Sequence, residues 1–229
     1  QRLNRAQNKL ELLFADATTG RSQVVLTEED KYWINLSDDL YFFADGQRFL
    51  WSSERDGFRH LYLYETSGKL LKQITSGAWE VTDVAGIDEQ HSGVYFVATE
   101  KSLIERHFYR AGLDGSGMKR LTGEDGTHGV SLSPDVQRYL DTYSNAVTPP
   151  RQDIYRADGT RQLAFNENNV AELETYQLQA PVFFTVAGAD GTPLHAMMIK
   201  PAGFDASKKY PVIVNLYGGP HGQVVRNGW

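Results

Sequence analysis

ADGQRFLWSSERDGFRHLYLYETSGKLLKQIT, residues 44–75, decides the fold class. Three short runs rich in aromatic and aliphatic residues, FLW, HLYLY and KLLKQIT, are separated by breaks carrying Asp, Gly and Ser. Runs of this length bounded by such residues read as β-strands. The glycine-marked break ETSGK is a turn between neighbouring antiparallel strands. A single meander of this kind has two faces and cannot bury both by itself.

The pattern recurs. HSGVYFVA (91–98) and SPDVQRYLD (133–141) repeat its first strand, and the spacing between Leu50, Tyr95 and Tyr139 is 45 and then 44 residues. ERHFYRA (105–111) and RQDIYRA (151–157) repeat FRHLYLY (58–64). MKRLT, ending at Thr122, and RQLAF, ending at Phe165, repeat KLLKQIT, and GLDGSG and ADGT supply the turns. ELLFADATTGRSQVVL (11–26) has the form of the tail of an earlier unit. A unit of three or four strands recurring at this period is the signature of a β-propeller, whose blades bury their faces against each other. An irregular β-sandwich also spaces strands at short intervals, but it does not repeat the whole unit. The expected fold class is therefore mostly β, with a partial β-propeller of three to four blades over residues 1–167. The chain opens inside a hairpin, QRLNRAQNKLELLF, without Met, and three to four blades do not close a ring, so a longer parent protein is expected.

Composition limits the alternatives. Of 229 residues, 41% are hydrophobic, which is too apolar for disorder. The net charge is −6 and no segment concentrates Lys and Arg, so nucleic acid is not an expected partner. Cysteine is absent, which removes disulfides, thiolate catalysis and thiolate metal sites. No run is long and apolar enough for a membrane-spanning helix.

A boundary falls at FNENNVAELETYQLQAP, where the blade pattern stops; residues 168–180 read as a linker, with one or two helical turns over 170–178. Residues 181–229 form a second element. FFTVA, the ADGT turn and PLHAMMIKP make a hairpin, and PVIVNLY (211–217) is nearly continuous and β-branched, as a strand buried on both faces reads.

These last residues carry a resemblance. YPVIVNLYGGPHGQ, following a D-G hairpin and the stretch KPAGFD, is similar to the opening of the α/β-hydrolase domain in the prolyl oligopeptidase clan, whose members carry a propeller N-terminal to it. WSSERDGFRHLYLYETSGKLLKQITSGAWEV (51–81) narrows the likeness to the dipeptidyl peptidase IV family, bacterial type. The resemblance covers essentially the whole chain. It implies a parent serine exopeptidase that releases Xaa-Pro or Xaa-Ala dipeptides from short peptides, homodimeric, without cofactor or metal, and periplasmic, secreted or at the cell surface. A tripeptidyl or acylaminoacyl peptidase of the clan stays open, as does a propeller-only binding module, although the latter has no reason to end in PVIVNLYGGP. Tyr217 matches the family's oxyanion-hole tyrosine; the chemistry fits, because acyl transfer develops negative charge that an aimed donor stabilises. The 229 residues contain no G-x-S-x-G, so the chain by itself is expected to be inactive, with the triad and the amine-gripping glutamates elsewhere in the parent.

Other candidates read as structural. Glu28 and Glu29 in TEEDKYW are expected to be solvated surface charges, and Glu54 of ERDG is not an amine-binding glutamate. His60 and His107 stand in equivalent R-H phrases, a structural recurrence. His91, His128, His195 and His221 are scattered without metal-ligand spacing. Trp79 is expected to pack between blades. Asp45, Asp56, Asp114, Asp158 and Asp190 precede glycine and read as turn formers.

Overall fold

The structure is a computed structural model that describes residues 1–219 and 222–229. His221 therefore lies outside the described residues, as does Pro220 of the YGGP motif. Gln1–Glu100 with Phe108–Leu121 form one compact unit, and Lys101–His107 with Thr122–Trp229 form a second.

In the first unit the chain builds three antiparallel sheets in sequence order. The first comprises β1 (Arg2–Leu3), β2 (Lys9–Ala15) and β3 (Ser22–Glu29). The second comprises β4 (Tyr41–Phe42), β5 (Arg48–Ser53), β6 (His60–Glu65) and β7 (Leu70–Gln73). The third comprises β8 (Val81–Asp88), β9 (Gly93–Ala98), β10 (His107–Gly112) and β11 (Lys119–Arg120). An additional strand, β4 or β8, precedes the three-strand repeat in the second and third sheets, giving blades of four. β8 opens two residues after Trp79.

Side-chain alternation explains why the second sheet is buried on both sides. Phe49, Trp51, Tyr62 and Tyr64 point one way and pack with Leu10, Leu12 and Leu26 of the first sheet. Leu50, Leu61 and Leu63 point the other way and pack with Val94, Phe96, Ala98, Tyr109 and Ala111 of the third. Aromatic residues fill one interface and aliphatic residues meet the other. Phe49 and Tyr64 are opposite each other in the β5–β6 register and stack with ring centroids 5.3 Å apart. Full burial of each such side chain contributes about 1.5–3 kcal/mol before entropy is counted. Sheets that share faces in this way, with no closed barrel among the described residues, constitute a partial β-propeller. The ETSGK turn needs its glycine twice over. Gly68 has φ 91°, and a Cβ there would run into the carbonyl oxygen of Val25.

The second unit contains the fourth blade, β12 (Thr127–Leu132), β13 (Arg138–Asn145), β14 (Thr148–Arg156) and β15 (Arg161–Asn166), again in chain order. Tyr139 and Tyr155 pair across β13 and β14 and stack at 5.1 Å. After it the helical stretch is one 3-10 turn, Ala171–Thr175, with no buried residue. The hairpin follows as β16 (Val182–Ala187) and β17 (Pro193–Met198), paired only with each other.

Two expectations are overturned. PVIVNLY belongs to no strand, and Val212, Ile213, Val214 and Leu216 are 81, 96, 75 and 74% exposed. Its composition suits a strand buried on both faces, but such a strand requires a neighbour on each side, and none of the described sheets contains it. The second correction concerns Glu28, whose side chain is only 11% exposed. It sits at the end of β3, where Trp51 Nε1 donates to Oε1 at 2.9 Å and Arg55 Nη2 donates to the same oxygen at 2.6 Å. Glu29, one residue on and on the other face, is solvated as expected, at 65% exposure beside Lys9.

Candidate functional site

Tyr217 stands at the end of the PVIVNLY run and is 59% exposed. Its ring does not cap a sheet. It folds back over the following loop, so that a Cβ at Gly219 would lie 2.5 Å from the phenol oxygen. A Cβ at Gly222 would collide with the ring itself. Two of the glycines after Tyr217 are therefore steric requirements of the ring's position, not only points of backbone freedom. Tyr217 thus presents an exposed phenol, whose hydroxyl can donate a hydrogen bond, beside Gly219 and Gly222.

Downstream of this loop Asn227 anchors the chain. The Asn227 amide N–H donates to the Ile104 carbonyl at 2.8 Å, and its side-chain Nδ2 donates to Glu105 Oε1 at 2.8 Å. Its Oδ1 accepts from the Ala146 amide at 3.1 Å, and its carbonyl accepts from the Thr127 hydroxyl at 3.0 Å. Two residues on, the Trp229 amide donates to Ser144 Oγ at 3.3 Å. Sequence reading passed over Asn227, since nothing in RNGW marks it.

Glu105 is buried at 6% exposure, and its other oxygen faces His107 Nε2 at 3.1 Å. His107 Nδ1 in turn meets Thr122 Oγ1 at 3.1 Å. In the first unit His60 repeats the arrangement: Nδ1 meets Thr75 Oγ1 at 3.1 Å, and Nε2 donates to the Gly77 carbonyl at 3.0 Å. Trp79 packs edge-on against His60 at 4.9 Å and stacks with Phe96 at 6.4 Å, joining the second sheet to the third. The two R-H phrases are thus structural, each imidazole tying the third strand of its blade to a threonine fifteen residues later.

The second unit also brings together groups far apart in sequence. His128, 4% exposed, lies 5.2 Å from the His107 ring, with Nδ1 2.8 Å from Asp141 Oδ2 and Nε2 donating to the Glu124 carbonyl at 3.0 Å. Donor atoms of Glu105, His107 and Asp125 lie within 4.8 Å of one another. Hydrogen bonds account for this grouping: Glu105 serves Asn227 and His107, His107 serves Thr122, and Asp125 takes the Lys101 ammonium at 3.0 Å. In the fourth blade, Asp153 takes the position of His60 and His107, buried at 3% and held by Arg151 at 3.3 Å and Arg161 at 2.6 Å.

The ERDG loop has a comparable internal logic. The Arg55 guanidinium lies 4.4 Å over the Tyr62 ring and donates to Tyr64 Oη at 2.6 Å. Burial pulls its pKa down, but the Tyr64 phenol and the Glu28 carboxylate more than offset this, and the net direction is up. Asp56 accepts from Tyr62 Oη at 2.8 Å; burial, then that hydrogen bond, pushes the phenol far above its ordinary range. Glu54 accepts from Asn35 Nδ2 at 2.7 Å. The turn aspartates behave as the D-G pattern implies. Asp45, for example, is held below the ordinary carboxylate value by the Gln47 amide and then by Arg48.

With this geometry in hand, comparison with known proteins is direct. Residues 1–150 match the model of the dipeptidyl peptidase IV (DPP IV) N-terminal region. The chain is similar to a probable dipeptidyl peptidase 4 of Emericella nidulans, with 29% identity over 99% of this chain and 31% of that protein. It is also similar to a probable dipeptidyl-aminopeptidase B of Aspergillus clavatus, with 33% identity over 97% of this chain and 26% of that one. Among solved structures, dipeptidyl peptidase 4 of Porphyromonas gingivalis superposes with a TM-score of 0.90 at 32% identity, covering 99% of this chain and 32% of the other. A putative dipeptidyl aminopeptidase IV of Bacteroides ovatus gives 0.85 at 28% identity, covering 99% and 35%. The chain thus spans about a third or less of the length of the curated relatives described here. The repeating blades agree with the match over residues 1–150, and that match leads to one conclusion: this chain belongs to the dipeptidyl peptidase IV family, with residues 1–150 in its N-terminal region.

Proposed function

We propose that the chain is part of a serine exopeptidase that releases Xaa-Pro or Xaa-Ala dipeptides from the amino termini of short peptides, and that Tyr217 donates to the oxyanion in that reaction. The observation that carries the second half is the exposed Tyr217 side chain, whose ring lies so close to Gly219 and Gly222 that neither could carry a Cβ without a shift. The names of the similar proteins support the first half. In the reaction a serine hydroxyl supplied by the rest of the parent attacks the scissile carbonyl, passing its proton to a histidine. The carbonyl oxygen becomes an anion that accepts a hydrogen bond from Tyr217. Collapse expels the peptide amine with the histidine's proton and leaves the dipeptide as an ester on the serine, which water then hydrolyses. Residues 1–167 would form the blades that admit the peptide, 168–180 the link, and 181–229 the first strands of the hydrolase domain. PVIVNLY would there find the neighbours that its composition calls for. A periplasmic or surface location and a homodimer belong to the same proposal.

The test compares three proteins on a glycyl-prolyl chromogenic substrate: this chain alone, the full-length parent, and the parent carrying Tyr217→Phe. The chain alone should show no turnover, the parent should release the chromophore, and Y217F should lower kcat by about 10²–10³-fold. A parent that cleaves no dipeptide would overturn the activity, and an unchanged Y217F would overturn the role of Tyr217.

A further inference from the structure

We infer that Asn227 is a positioning residue for Tyr217, acting through residues 223–226 and Gly222, which lies against the phenol ring; this rests on the proposed oxyanion role. The run that ends in Tyr217 has no ladder partner among the described residues, and Gly218, Gly219 and Gly222 follow it. Asn227 is a fixed point downstream of the phenol, because all four of its polar groups are engaged by Ile104, Glu105, Thr127 and Ala146. Glu105 is itself set by His107 and is almost entirely buried, so the acceptor for the Asn227 side chain is fixed in advance.

The step from Asn227 back to Tyr217 is contiguous. Arg226 Nε donates to the Gln223 carbonyl at 3.0 Å, and Gln223 Nε2 donates to the Val225 carbonyl at 2.7 Å. Gln223, Val225 and Arg226 are thus braced by their own side chains, and the turn runs directly into the anchor at Asn227. Gly222, the residue before that turn, lies against the Tyr217 ring so closely that no Cβ fits between them. Rim of the fourth blade, Asn227, braced turn, Gly222 and phenol form one mechanical series. A displacement of about 1 Å at a reacting group costs up to about a hundredfold in rate, so slack at the anchor is read at the hydroxyl.

The experiment uses the full-length peptidase with Asn227→Ala, Thr127→Val, Tyr217→Phe and the N227A/Y217F pair. Active sites are counted by covalent titration of the nucleophilic serine with a fluorophosphonate, so that kcat refers to folded enzyme alone. N227A should lower kcat about tenfold with KM changed less than about twofold, and T127V, which removes only the hydroxyl, should lower it by a smaller factor. In the N227A background Y217F should cost much less than it does alone, because a mispositioned phenol has little left to lose. Full additivity of the two substitutions, or an unchanged kcat per active site in both N227A and T127V, overturns the inference while leaving the oxyanion role intact. If N227A fails to fold, T127V and T127V/Y217F decide by the same criteria. A silent Y217F overturns both readings together.

Discussion

Removing the Glu28 carboxylate tests the corrected view of the first blade interface. Glu28→Ala leaves the indole N–H of Trp51, a residue only 1% exposed, without its acceptor. An unsatisfied buried donor costs about 1–3 kcal/mol. Arg55 loses an ion pair as well, but it is 31% exposed and keeps Ser53 and Tyr64, so solvent screening limits that loss to about 1 kcal/mol. The total is about 2–4 kcal/mol. For a chain of this size each kcal/mol lowers Tm by about 2–4 °C, so E28A should melt about 4–16 °C below the parent. Glu28→Gln keeps an oxygen acceptor for Trp51 and should lose only about 2–4 °C. Glu29→Ala, on the solvated face, should change Tm by no more than about 2 °C. The assay is thermal unfolding at one scan rate, followed by circular dichroism and tryptophan fluorescence. Coincident melting of E28A, E29A and the parent would refute the argument, since a solvated carboxylate would behave in that way.

Three further outcomes are expected. His60→Ala removes a buried ring that joins Thr75, Gly77 and Trp79, and should cost about 3–4 kcal/mol in urea unfolding; a loss under about 1 kcal/mol would show that the lock is dispensable. Asp45, Asp114, Asp135, Asp190 and Asp205 all titrate below the ordinary aspartate value of 3.8 in the folded chain, held there first by hydrogen bonds from turn residues. Their contribution is therefore complete above that value and lost as pH falls through the folded pKa. The stability advantage of the parent over Asp45→Asn should shrink in acid below pH 3.8, and a pH-independent gap would contradict this. Finally, Ile213→Asp combined with Leu216→Lys interrupts an exposed apolar run with unpaired backbone. Light scattering of the chain alone should show less self-association than the parent chain, and equal association would place its cause elsewhere.

The blades were legible because their periodicity is written in adjacent residues. FLW and HLYLY alternate aliphatic and aromatic side chains, and the structure sends the two sets to opposite interfaces. The recurrence of His60 with Thr75 and of His107 with Thr122 was visible as repeated R-H phrases, because a repeated fold repeats its local bonds. Glu28 was misread because TEED is a charged run, and its burial is decided by Trp51 and Arg55 on another sheet. His128 with Asp141 was not legible because it does not repeat the R-H phrase, and Asn227 with Glu105 was not because no local pattern marks partners 122 residues apart. PVIVNLY shows the converse: its composition names a strand, yet a ladder exists only where a second segment completes it.

The chain-order construction of every sheet has a consequence for how the molecule is made. In each blade a strand pairs with the strand just before or just after it. Contact order within a blade is accordingly low, and closing such short loops costs little entropy. Each meander can begin to pair its strands as its own residues emerge from the ribosome, and it is stabilised when the next one stacks against it. Asn227 meets Glu105 across 122 residues, Thr127 across 100 and Ala146 across 81. Translation completes the blades first, and the loop bearing Tyr217 takes up its place only when synthesis has passed residue 227.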